Sequence, residues 1–253
     1  MADPRLIGRL GLLTTAHLAD GCLRAGVRVR CGPAGLRPVT PGSRAAGRVL
    51  PAVHAGSVDV FLAALGLAEP GDVLVADNGG RLDEACIGDL IALEAKAAGL
   101  AGIVIWGLHR DTAELRAIGL PVFSLGALPT GPLRPARPLH PADLPGAAGQ
   151  PGAAGRLYGE GVLATVGDWA VGPDDLVAAD DDGVLFLPAG RAGEVISAAE
   201  SIRDTEFAQA SLVRTGVTLR DQLGFGAYLD ALAANPALTF RDYLRAAGGA
   251  VEE

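Results

Sequence analysis

The 253-residue sequence contains a single lysine, Lys96. Imine-forming aldolases, pyridoxal phosphate enzymes and P-loop proteins each need a lysine at a defined place. Lys96 lies in a helical run beside Glu94, far from any glycine-rich loop, so it reads as a solvated surface residue. Covalent imine chemistry is therefore disfavoured. Cysteine is almost as scarce: Cys22, Cys31 and Cys86 form an odd set without a C-x-x-C pair. Three reduced thiols are expected, not a disulfide framework or a thiolate zinc site. The four histidines, His17, His54, His109 and His140, show no H-E-x-x-H spacing, which speaks against a histidine zinc site. Neither G-x-S-x-G nor a post-strand G-x-G-x-x-G occurs, which sets aside serine hydrolases and dinucleotide enzymes.

Long apolar runs are missing as well. No stretch approaches the roughly 18 apolar residues of a membrane span. The first twenty residues carry Asp3, Arg5 and Arg9 around runs too short for a secretory core. A cytoplasmic location without a membrane partner is expected. Positive charge is short too, with 21 Lys and Arg against 29 Asp and Glu for a formal net charge of -8. Phosphate binding needs clustered cations, so nucleic acid is an unlikely ligand.

What is present describes an ordinary globular chain, 49% apolar and 20% charged, long enough to bury a full core. Apolar runs bounded by turn residues predict strands at 72–76, 102–106, 121–125, 176–179 and 184–187. Residues 88–98 predict a helix with Leu90, Leu93 and Ala97 on its apolar face and Gly99 as its C-terminal cap. With its flanking strands it forms a strand–helix–strand unit. The Pro-, Gly- and Ala-rich segment 129–155, with Leu133, Arg134, Arg137 and His140 interspersed, is expected to be a long surface loop. Asp180-Asp181-Asp182-Gly183 predicts a tight hairpin, its acids a solvated turn in preference to a cation site. A long amphipathic helix is predicted over 191–215, with Val195, Ile196, Ala199, Ile202 and Phe207 on or near one stripe. Two short helices follow over 225–247, broken at Asn235 and Pro236, the second opened by Thr239 with Asp242 three residues on.

Two places could carry chemistry. Gly88-Asp89-Leu90-Ile91 opens the helix after the first predicted strand, where free backbone N–H groups favour an anion; plain helix capping is the competing explanation. The strand at 102–106 runs into Gly107-Leu108-His109-Arg110-Asp111, which sets a guanidinium fork beside a hard oxygen ligand at a strand end. Asp suits magnesium or manganese, and Arg can hold a carboxylate or enolate oxygen. A surface ion pair or a helix cap would look the same in sequence. His109 could line the same pocket.

These segments, in order and at these separations, resemble the family that unites 4-hydroxy-4-methyl-2-oxoglutarate aldolases with the RraA-like regulators of ribonuclease E. The resemblance covers most of 14–188. It rests on the stretch 14–20, Pro70-Gly71-Asp72-Val73-Leu74-Val75-Ala76-Asp77, the Gly88 and Gly107 motifs, Pro121-Val122-Phe123, and the run from Asp175 to Val184. It implies an α/β fold, a compact β/β/α sandwich like the swivelling phosphohistidine domains. A catalytic domain would cover 1–190, and helices at 191–253 would pack on the core or on a neighbouring subunit.

It further implies a homotrimer or homohexamer and a small 2-oxo acid substrate. Gly88, Asp89, Leu90 and Ile91 would bind the substrate carboxylate, Arg110 the keto oxygen, and Asp111 a divalent metal, Mg2+ or Mn2+. The implied reaction is cleavage of a 4-hydroxy-2-oxo acid to pyruvate and a second carbonyl compound. Oxaloacetate decarboxylation at the same site, or a non-catalytic regulatory role, are the alternatives. The expected base is a metal-bound or Asp89-oriented water, and Glu206 is a candidate contribution from a neighbouring subunit. Trp106, His109 and the 129–155 segment depart from the family pattern and would reshape the pocket.

Overall fold

The computed structural model describes residues 3–139, 157–159 and 161–246. Helices α1 (Pro4–Gly11) and α2 (Thr15–Arg24) precede the short strands β1 (Arg30–Cys31) and β2 (Arg37–Pro38). Then come β3 (Ala45–Val53), α3 (Asp59–Leu65), β4 (Val73–Asp77), β5 (Ala85–Ile87), α4 (Asp89–Ala97), β6 (Gly102–Trp106), β7 (Leu108–His109), α5 (Thr112–Ile118) and β8 (Val122–Ser124). The second half holds β9 (Ala164–Val166), β10 (Trp169–Val171), β11 (Asp175–Asp180) and β12 (Gly183–Pro188). It closes with α6 (Ala192–Arg214), α7 (Leu219–Gln222), α8 (Phe225–Ala234) and α9 (Phe240–Ala246).

Eight strands form one mixed sheet in the order β1-β12-β11-β3-β4-β6-β8-β2. Its centre is parallel, β3 to β4 to β6 to β8, and its other half is antiparallel. The sheet curls into a half-barrel whose two ends approach: Arg37 of β2 donates to the Asp182 carbonyl at the β11–β12 turn, 2.8 Å. The curl gives β4 two buried faces, as its continuous apolar run requires. Leu74 and Ala76 pack outward against α3, α4 and α5, while Val73 and Val75 face the inside of the curl with Val49, Val104, Phe123 and Phe186. A third apolar layer joins α1, α2 and the first half of α6 to Leu176, Leu185 and Leu187.

The five predicted strands appear as β4, β6, β8, β11 and β12, within a residue of the expected bounds, and the tight hairpin is there. Its acids serve backbone donors: Asp180 accepts from Thr15 N and its hydroxyl, and Asp181 from Gly42 N. Gly99 stands in the left-handed region just after α4, and Thr239 and Asp242 bond reciprocally at the start of α9. Residues 129–139 hold no helix or strand, as expected; residues 140–155 and 247 lie outside the described residues.

Two faces differ from expectation. On α4, Ile91, Ala92 and Ala95 turn inward while Leu90 and Leu93 are exposed. The helix packs closely against its neighbours, so small alanines fill the inward stripe and the larger leucines are left outside. On α6 the stripe holds through Ile202, but Phe207 is exposed. Beyond Ile202 only Leu244 is buried among the described residues.

The strand most central to the fold, β3, is invisible to the sequence pattern because Gly47 and Pro51 break its run. Pro51 is tolerated because β11 pairs only with residues 45–48; past that point the same edge of β3 meets only the isolated bridge of Ala52 to Tyr158, where Val53 N is the donor, to the Leu157 carbonyl. Gly47 is required by contact: a Cβ there would lie 2.1 Å from the Gly71 carbonyl oxygen. Among the described residues no helix is long and apolar enough to cross a membrane.

Gly47→Ala is expected to cost at least about 1–3 kcal/mol, because the obstacle is backbone and cannot swing aside. Urea denaturation against wild type checks this, and an unchanged midpoint would show that β3 has room to shift.

Candidate active site

Parallel strands collect their C-terminal ends on one side of a sheet, and sites gather there. Here the ends of β3, β4 and β6 lead into His54, Asn78 and Gly107. The chain after β4 passes through Gly79 and Gly80 into β5, and the chain after β6 passes through Gly107 into β7. β5 and β7 then pair in parallel, Ala85 with Leu108 and Ile87 with His109, and Arg110 N donates to the Ile87 carbonyl at 3.0 Å. That short ladder sets Arg110 and Asp111 against the start of α4.

The approach is close. A Cβ on Gly88 would lie 2.2 Å from Asp111 Oδ2 and 3.2 Å from Arg110 Nε, so a larger residue would push these two side chains from where they stand. Asp89 N faces Asp111 Oδ2 at 3.3 Å, and Arg110 Nε stands 3.4 Å from the same oxygen. Asp111 is the single non-glycine residue with positive φ among the described residues, at φ 60 and ψ 44. It precedes α5 without capping it through its side chain. A left-handed aspartate is tolerated better than most residues but still costs on the order of 1 kcal/mol. What that conformation achieves is to aim the carboxylate at α4 and away from its own helix.

Asp111 and Arg110 keep 34% and 48% of their side chains exposed, which leaves both open to a ligand. Oδ1 of Asp111 has spare acceptor capacity, and its Oδ2 contacts are long. Asp89 uses one carboxylate oxygen on the Leu90 amide, 2.7 Å, which consumes one of the first-turn donors expected to bind substrate. The side chain of Leu90 is exposed and that of Ile91 is buried, so any contribution of these two to an anion runs through the backbone.

His109 does not join the pair. Successive strand residues point to opposite faces, so His109 turns away from Arg110. Its Nδ1 lies 2.7 Å from Ser124 Oγ and its Nε2 3.0 Å from Thr112 Oγ1. Ser124 donates to the Gly126 carbonyl, so Oγ accepts from an Nδ1–H and Nε2 accepts from the Thr112 hydroxyl. This is a neutral imidazole, and burial pushes its pKa below the usual histidine range. It borders a separate cleft of about 300 Å3 with Arg37, Arg116 and Ser124. Glu206 pairs with His17 on α2, 3.1 Å, and has no contact with Arg110 or Asp111 within one chain. Lys96 is exposed and donates to the Ile118 carbonyl. Burial pushes the Cys22 and Cys86 thiols up to about 11 and about 12, which makes them inert.

A second group in the same crevice was not legible in the sequence. His54 and Glu84, both with fully buried side chains, meet Asn78 and Arg134. His54 Nδ1 lies 2.8 Å from Asn78 Oδ1, and Arg134 Nη2 donates to Asn78 Oδ1 at 2.7 Å and to the His54 carbonyl at 2.8 Å. His54 stacks on Phe61 with centroids 5.5 Å apart, and its pKa is pushed down, chiefly by burial. Its members come from three separate segments, so no local motif announces them.

A family model described as RraA-like, Aldolase/RraA, matches residues 15–186. The chain belongs to the RraA-like family. A Halalkalibacterium halodurans relative named "Putative 4-hydroxy-4-methyl-2-oxoglutarate aldolase" is 28% identical over 148 residues, 58% of this chain and 61% of the relative. A Shewanella oneidensis protein of the same name is 46% identical over 65 residues, 25% of this chain and 40% of that one. The chain thus spans less than two thirds of the length of these curated relatives. Among solved structures, Streptomyces coelicolor RraAS2, described as an unusual member of the RNase ES inhibitor RraA protein family, superposes with a TM-score of 0.65. It is 27% identical, and the match covers 81% of this chain and 94% of that one. Within the matched span of this RraA-like chain lie Gly88, Asp89, Arg110 and Asp111.

Both buried histidines make a pH prediction. Unfolded histidine takes up a proton near pH 6.5, whereas His54 and His109 resist it when folded, so the unfolded state gains protons first as pH falls. Stability is therefore expected to decline below about pH 6.5, by up to about 1.4 kcal/mol per pH unit for each histidine, until the folded values are crossed. Urea midpoints at pH 7.5, 6.5 and 5.5 check this, and His109→Gln should flatten the slope. A flat wild-type profile would contradict the burial of both rings.

Proposed function

We propose that this chain is a divalent-metal-dependent carbon–carbon lyase that cleaves a 4-hydroxy-2-oxo acid to pyruvate and a second carbonyl compound. The observation that carries the proposal is the convergence of Arg110 and Asp111 on the Gly88 start of α4, in space that a Cβ at residue 88 would take from them. The aldolase names of the relatives agree with it.

The donor set fits a hard cation. Asp111 offers a half-open carboxylate that neither caps its helix nor forms a short ion pair. Among the described residues no group of three or more His, Cys, Asp or Glu could enclose a metal. One carboxylate with substrate oxygens and water is how magnesium or manganese is commonly held, and it is a poor site for zinc. When bound, such an ion supplies Lewis acidity toward the oxygens of a 2-oxo acid.

The chain's own groups divide the remaining work. Arg110 is always cationic and offers a planar donor fork, so it can hold the keto oxygen as negative charge develops there during bond cleavage. At the start of α4, Asp89 N faces Asp111 and Leu90 N is held by Asp89, so the substrate carboxylate would be received by the Ile91 N–H, or by Leu90 N once Asp89 turns away. Asp89, at that helix start, is the side chain able to orient a water that takes the hydroxyl proton. Glu206 is kept as a contribution from a neighbouring subunit. Exposed Phe207, Leu212, Val213 and Leu229 on the C-terminal helices support self-association, here a trimer or hexamer, which light scattering tests. The kinship to swivelling phosphohistidine domains belongs to the same proposal. Oxaloacetate decarboxylation would use the same arrangement. The likeness to RraAS2 favours a second reading, a regulatory binding protein with this crevice as its ligand site.

Pyruvate release from a panel of 4-hydroxy-2-oxo acids and oxaloacetate, with and without magnesium, separates these outcomes. Activity should need the metal and be lost in Asp111→Ala; activity that persists in chelator would end the proposal. Arg110→Ala should lower turnover by roughly two to four powers of ten, and a loss below about threefold would show that the arginine is not an oxyanion partner. Turnover absent from every substrate with metal present would leave the regulatory reading.

A further inference from the structure

Residues 129–137 cross the crevice as a strap, and its attachment is more elaborate than a surface connection needs. Thr130 O accepts from Ala85 N at 2.8 Å, and Arg137 N donates to Ala55 O at 2.8 Å. Between these ends Glu84 accepts from Leu133 N at 3.0 Å and stands 3.2 Å from Arg134 Nε, while Arg134 Nη2 reaches His54 O and Asn78 Oδ1. A Cβ on Gly56 would meet the Pro135 carbonyl at 2.8 Å, so the strap lies flush on the β3 end.

A fully buried carboxylate is costly unless paired, and its use here is to anchor this one segment. Burial pushes the Glu84 pKa up, but the Leu133 amide, Arg134, Arg81 and His54 together hold it below the ordinary carboxylate range. Glu84 therefore stays ionised and the latch stays closed at neutral pH.

The strap touches the candidate site at one point. Gly131 lies so close to the Arg110 guanidinium that a Cβ there would be 2.9 Å from Nη1. Arg110 is otherwise half-exposed, and its long side chain has many rotamers open to it. We propose that Glu84 and Arg134 are positioning residues: by latching the strap they hold Gly131 against Arg110 and set the direction of its guanidinium toward the anion. The functional half of this inference rests on the lyase reading above, whereas the mechanical half does not.

Two readouts test the halves separately. The first is the rate of phenylglyoxal labelling of Arg110, mapped by peptide mass spectrometry against Arg203 on α6 as internal reference. The second is calorimetric binding of oxalate with magnesium, oxalate being a planar mimic of a pyruvate enolate. In Gly131→Ala and Arg134→Met, Arg110 labelling should rise at least about threefold and the oxalate Kd about tenfold, with Arg134→Lys recovering part of both. Equal Arg110 labelling in wild type and the folded variants would overturn the proposal. If Arg134→Met fails to fold, Arg134→Lys decides in its place, since it keeps the charge but loses the guanidinium reach to the His54 carbonyl and Asn78 Oδ1. Wild type that does not bind oxalate would count against the lyase reading, and the labelling rates would still decide whether the strap orients Arg110.

Discussion

The short parallel ladder between β5 and β7 is the constraint on which the candidate site depends. It joins two connections that leave neighbouring strands, and it brings Gly88 and Asp111 into contact although 22 residues separate Asp89 from Asp111. Without it, the arginine and aspartate after β6 would project from an independent loop. With it, a glycine at one end and a left-handed aspartate at the other leave two charged side chains in a gap of fixed width. The backbone strain at Asp111 is small beside the precision of placement that catalysis by oriented charge requires.

The surrounding fold supplies rigidity at a distance. β4 is buried on both faces, so the strand end that launches the Asn78–Gly80 turn is held by apolar packing from two sides. The same crevice then receives a buried charged cluster built around Glu84. Buried ion pairs contribute little net stability, since desolvation offsets most of their attraction. Their effect here is geometric, because Glu84 ties Leu133 and Arg134 of the strap to its own connection after β4 and to His54 at the end of β3.

Magnitudes also separate the two histidines from the chemistry. Burial pushes both pKa values below the usual histidine range, and each ring is tied through Nδ1, His54 to Asn78 and His109 to Ser124. The chain's single lysine is on the surface. Under the lyase proposal, proton transfer would fall to carboxylates and water, and charge stabilisation to Arg110 and a cation, the division that a lysine-free cleavage of a 2-oxo acid needs.

Much of this was written locally in the sequence. Two-periodic and continuous apolar runs determined β4, β6, β8, β11 and β12, and capping chemistry at Gly99 and Thr239 determined helix ends, because these signals act between residues a few positions apart. The pairing of an arginine and an aspartate at a strand end marked the candidate site for the same reason. Tertiary structure alone decided the rest. It hid β3 behind Gly47 and Pro51, whose tolerance depends on where a neighbouring strand ends. It turned Ala92 and Ala95 of α4 inward in place of Leu90 and Leu93, because close packing selects volume as well as hydrophobicity. It sent His109 away from Arg110 through strand alternation, and it converted a Pro-rich segment into an anchored strap through a glutamate some fifty residues upstream. Contacts across such separations are set by which strands lie side by side, and no local pattern of residues encodes that.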